Sequence, residues 1–109
     1  MTETSNFLLL YTSNFQNTIP SDIAGEIIKQ TVRTICPEGK GQDFLVFDPK
    51  AEESRIEDEG RTLIIPTKAE KKCYAKLDDF GSVEALREYS GMPQLNTPYA
   101  VTIMLAEDY

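Results

Sequence analysis

With 109 residues the chain is read as a single domain, 1–109, and a domain of that size buries roughly two-thirds of the surface its unfolded chain exposes, so it needs no covalent or metal staple. A composition 40% hydrophobic and 27% charged excludes the disordered class, while a net charge of -7 opposes sequence-independent binding to nucleic acid or anionic membrane, which needs clustered Lys and Arg to displace counterions. The chain has no His, which removes the commonest general base and metal ligand together and excludes a Ser-His-Asp or Cys-His mechanism.

The opening Met1-Thr2-Glu3-Thr4-Ser5-Asn6 has no basic region, and the apolar run after it is short. These features predict no signal peptide and a cytoplasmic protein. Phe7-Leu8-Leu9-Leu10-Tyr11 is apolar at every position instead of every second one. Such a run predicts a strand covered on both faces, in the middle of a sheet.

A polar loop follows. Thr18 or Ser21 is then placed to cap a helix whose apolar residues fall in two rows of spacing four, Ile19, Ile23, Ile27 and Ile35 beside Ala24, Ile28 and Val32. Pro37 and Gly39 are expected to end it. The β-branched residues and Gly25 give this helix poor intrinsic propensity, so packing must hold it. A second strand is expected at 43–47, entered through Gly39-Lys40-Gly41.

The segment 48–60 has helix punctuation in Asp48, Pro49 and Gly60 but only Ala51 and Ile56 as apolar residues, so it reads as a solvated loop with at most a helical turn. Thr62-Leu63-Ile64-Ile65 forms a third strand, stopped by Pro66. Cys73-Tyr74-Ala75-Lys76-Leu77 alternates, with Cys73, Ala75 and Leu77 inward. These two strands suggest a hairpin. Ser82 and Gly91 bracket a short helix, Val83–Ser90, and Tyr99–Leu105 is a last strand with apolar residues on both faces, hence interior.

The order strand, helix, three strands, helix, strand predicts an α+β two-layer sandwich, a mixed sheet of about five strands with two helices on one face. The first helix can supply a right-handed crossover if its flanking strands are parallel. That arrangement leaves the other face bare, to be covered by the acidic segment and the last residues or by a second copy. A homo-oligomer is expected on this ground.

Four places could carry chemistry. The run Ser13, Asn14, Phe15, Gln16, Asn17, Thr18, between a strand and a helix, offers hydroxyls and amides to an anion. It resembles the phosphate loop of flavodoxin-like proteins, with Gln16 where that family has Gly; the resemblance implies phosphate contacts from Ser13, Asn17 and Thr18, in a phosphate- or flavin-binding domain. The acids Glu52, Glu53, Glu57, Asp58 and Glu59 lack the alternation and Gly of a calcium loop and read as a solvated or electrostatic docking face. Asp78 and Asp79 read as caps, and Gly39-Lys40-Gly41 lacks the rest of a phosphate-loop motif and reads as a turn. Phe15, Phe80, Tyr89 and Tyr109 are candidate exposed contact anchors.

Cys36 and Cys73 lack CxxC spacing and are read as reduced packing residues. No set of acid, base and nucleophile can be assembled, and no cofactor or metal is called for. The reading is a non-enzymatic protein-binding or regulatory domain that self-associates and meets a partner with a basic surface, without direct nucleic-acid or membrane contact. The alternatives are an acidic inhibitor, for example of viral origin, that occupies a nucleic-acid-binding protein by charge mimicry, or the phosphate- or flavin-binding domain using 13–18.

Overall fold

The computed structural model describes residues 7–35 and 42–109. Expectations for Cys36, Pro37 and the Gly39-Lys40-Gly41 turn lie outside the described residues. The elements in chain order are β1 (Leu8–Tyr11), α1 (Ser13–Thr18), α2 (Ser21–Thr34), β2 (Phe44–Asp48), β3 (Arg55–Glu57), β4 (Thr62–Pro66), β5 (Cys73–Asp79), α3 (Val83–Ser90) and β6 (Tyr99–Leu105). Short 3-10 turns follow β3 at Asp58–Gly60 and β6 at Ala106–Asp108. The chain is a mixed α+β fold built on one six-stranded sheet in the order β1-β6-β5-β2-β4-β3.

β6 is interior, as its two apolar faces predicted: it pairs parallel with β1 and antiparallel with β5. β1 is not. Among the described residues it lies at the edge of the sheet, paired on one side only. Its uninterrupted apolar run has a different cause: Leu9 packs against the main core, while Leu8 and Leu10, on the opposite face, stay half-buried. An all-apolar strand thus reports two partly covered faces and says nothing of its lateral neighbours.

β5 pairs antiparallel with both β6 and β2, and β1 pairs parallel with β6, so β1 and β2 run the same way with two strands between them. The segment α1 to α2 is the connection that crosses them. β4 pairs parallel with β2 on its other side, which places β2 between β4 and β5. The expected β4–β5 hairpin is therefore split: the two strands are antiparallel but do not touch as a ladder. Strand pairing at this range depends on a segment far away in sequence, which local pattern cannot report.

Two further elements go beyond the sequence expectation. β3 is a sixth strand of three exposed residues that pairs antiparallel with β4, held by backbone bonds and almost no side-chain burial. α1 is a short helix where a loop was expected. Thr12 caps it, its Oγ1 accepting from the Phe15 N–H at 3.1 Å. Because Thr18 closes α1, it cannot cap α2, and neither does Ser21; the N-cap position of α2 is held by extended Pro20, without a side-chain bond.

The core lies between α1, α2 and one face of the sheet. Phe15, Ile19, Ile27 and Ile35 meet Leu45, Phe47, Ile65, Cys73, Ala75, Val101, Ile103 and Leu105. Only one of the two helical rows is deeply buried, with Thr31 filling its gap and donating to the Ile27 carbonyl at 2.8 Å. Val32, in the second row, is exposed. α3 has the predicted bounds, with Ser82 Oγ accepting from the Ala85 N–H and Gly91 in the left-handed region at φ 72°. Its Leu86 is fully buried outside the main core, and Ile64, Ala100 and Met104, which by register lie on the second face of the sheet, are buried outside it as well. That face is therefore covered in part.

Candidate functional site

The residues singled out in the sequence fall at opposite ends of the sheet. Ser13, Asn14, Asn17 and Thr18 lie on α1, next to the β1 edge; Glu52, Glu53, Glu57, Asp58 and Glu59 lie on or beside β3, the other edge. They form two regions and no single site.

At the β1 end the polar run is helical and its middle residue, Phe15, is 1% exposed, so it is a core anchor and not a contact aromatic. The helical spacing turns Phe15 inward and leaves Ser13, Asn14, Asn17 and Thr18 exposed. A carboxylate of the chain itself sits beside the start of α1: Thr12 Oγ1 donates to Asp108 Oδ2 at 3.2 Å and Asn14 Nδ2 donates to Asp108 Oδ1 at 2.9 Å. Of the candidate binding residues, Asn14 is engaged by that carboxylate, which also sets a negative charge beside the start of the helix that carries Ser13, Asn17 and Thr18.

Beyond Asp108 the last residue turns onto the second face of the sheet. The Tyr109 ring meets Phe44 at 5.8 Å and Tyr74 at 5.5 Å, edge-on in both cases, and lies 5.8 Å from the Lys76 ammonium. Of the cover foreseen for this face, the last residues supply a share. Lys71 Nζ bonds Glu107 Oε1 at 2.9 Å and the Ala106 N–H donates to the Lys72 carbonyl, so 106–109 are tied at several points.

At the β3 end, the five acids are exposed. Glu57 takes the Arg55 guanidinium at 2.8 Å, and that hydrogen bond, aided by its charge, holds Arg55 above its ordinary pKa. Glu52, Glu53, Asp58 and Glu59 form no ion pair among the described residues. Asp58 and Glu59 both take positive φ, 59° and 57°, followed by Gly60 at 90°, a left-handed turn that brings β3 back along β4.

Asp79 behaves as a turn cap, Oδ1 accepting from the Gly81 N–H at 2.9 Å, and Asp78 pairs with Lys76 at 3.2 Å. Phe80 and Tyr89 pack in a tilted pair with ring centroids 4.9 Å apart, and Tyr89 is exposed. Among the described residues no three or more Cys, Asp or Glu are grouped to hold a metal, and no helix is long and apolar enough to cross a membrane.

What the sequence did not disclose is the lateral position of β1. Among the described residues no strand pairs with its outer side, beside half-buried Leu8, Leu9 and Leu10 and exposed Tyr11. The available signal was the absence of a nearby partner: the strand that pairs with β1 begins at Tyr99. Compared with protein-family models, with curated proteins and with solved structures, the chain matches none of them.

Proposed function

We propose that this chain is a small, acidic, non-catalytic protein-binding domain that associates with a second copy of itself through the outer edge of β1. The observation that supports this reading is the edge strand itself. Leu8-Leu9-Leu10-Tyr11 carries no Lys, no Pro and no other charge that would repel a neighbouring strand, and its outer N–H and C=O groups face away from β6. Antiparallel pairing of two such strands across a two-fold axis satisfies those groups and brings Leu8 and Leu10 of both copies together. The fully apolar run thus acquires the lateral cover that one sheet does not provide.

Light scattering at micromolar concentration tests it. The wild-type chain is expected to give the mass of a dimer, and Leu10→Lys the mass of a monomer with unchanged circular dichroism. A monomeric wild type, or a dimer that survives both Leu10→Lys and Leu8→Lys, overturns the proposal.

A second reading is favoured by the β3 edge, where four exposed carboxylates form no ion pair among the described residues. There the chain would occupy a basic surface, including that of a nucleic-acid-binding protein. Retention on a polycationic matrix that is unaffected by neutralising Glu52, Glu53, Asp58 and Glu59 would remove this reading.

A further inference from the structure

A cleft of about 480 Å³ opens between the first half of α2 and the carboxyl ends of β2 and β4. Its volume is within the range of small-molecule sites, and crevices beyond the carboxyl ends of neighbouring parallel strands are where open sheets hold ligands. The floor is apolar: half-buried Ile23 and exposed Pro66 present open surface, over Ile27, Phe47 and Ile65, which close the cleft from beneath as part of the packed core. The rim is charged. Asp22 and Glu26, also one turn apart, line the helix side, and Lys68 lines the strand side. None of these three forms an ion pair among the described residues, although Lys68 shares the cleft with both acids.

The geometry points to a binding site for a small organic cation with an aliphatic body, an alkylammonium or alkylguanidinium. The body lies on Ile23 and Pro66, above the buried Ile27 and Ile65, and the cationic head lies between Asp22 and Glu26. Two carboxylates against one ammonium set the sign of the preference, and the apolar floor separates such a ligand from a bare metal cation or a polar amine. This site is on α2, away from the β1 edge, and stands or falls independently of the self-association proposed above.

Hexylammonium, hexanoate and hexanol, titrated into isotopically labelled protein at neutral pH, test it. Hexylammonium is expected to shift the methyl resonances of Ile23, Ile27 and Ile65 and to bind about tenfold more tightly than hexanoate, the factor two exposed ion pairs supply. Asp22→Asn combined with Glu26→Gln should remove that preference. Glu52→Gln combined with Glu53→Gln makes the same change in net charge elsewhere and should leave the affinity within about twofold. Equal affinity for hexanoate, shifts confined to other residues, no shifts at all, or equal losses in the two double variants would each overturn the assignment.

Discussion

The two edges of the sheet are built on opposite principles. β1 is apolar at every position, and the helix that follows it drives Phe15 into the core; β3 is three exposed residues, two of them charged, and is followed by a left-handed turn. Both edges are short, but the second adds charge and a distorted flank, devices that keep strands apart, and the first has neither. The difference teaches that one sheet can carry an apolar margin and a charged margin, and that only the charged one has the features that discourage strand addition.

The contrast is sharpest in stability. Phe15→Ala removes a fully packed ring and should cost about 3–5 kcal/mol, whereas Ile56→Ala, at a side chain 59% exposed on β3, should stay within about 0.5 kcal/mol. Urea denaturation of the two variants checks both values, and similar losses would break the comparison.

The strands between the edges supply a reference. The Cys73 thiol, buried on β5, is pushed up to about 11 from 9.0 by loss of solvation. Above pH 9 the unfolded chain releases this proton while the folded chain keeps it. The stabilisation is complete below the unfolded value and is lost as pH rises through the folded one, by about 1–2 kcal/mol in total. Urea midpoints followed from pH 8 to 11 should fall less steeply in Cys73→Ala than in the wild type.

The smallest effects lie at the β3 turn. Glu59 adopts φ 57°, which costs a side-chain-bearing residue, so Glu59→Gly should stabilise the fold by about 0.5 kcal/mol. Gly60 has open space around it but φ 90°, so Gly60→Ala should destabilise by about 1 kcal/mol through backbone strain alone. Thermal melts of the pair, moving in opposite directions, test the assigned geometry.

Where local chemistry decided the outcome, it could be read from the sequence. Ser82 and Gly91 fixed α3, the alternation of Cys73, Ala75 and Leu77 fixed the facing of β5, and the two apolar faces of β6 placed it in the interior. Where the outcome rested on partners distant in sequence, it could not. β1 and β6 carry the same kind of apolar run, yet one is an edge and the other central. β3 has so little apolar content that only its ladder with β4 defines it. The loop expected at 13–18 is a helix because burying Phe15 over the sheet holds one short turn that propensity alone would not. Ser13, Asn14, Asn17 and Thr18 lie exposed on that helix, near a carboxylate supplied by Asp108, a neighbour that no local pattern announces.

The position of β6 bears on how the molecule comes to exist. It stands between β1 and β5, yet follows every other strand in the chain. During synthesis, then, the ribosome delivers a strand at one margin first and the one that joins it to the rest last. Until 99–105 has emerged, β1 has no ladder partner among the described residues of its own chain, and nascent chains close together on one message expose the same apolar segment to each other. A ribosome stalled before Tyr99 leaves a product with its most apolar strand unclaimed, a substrate for chaperones and proteases.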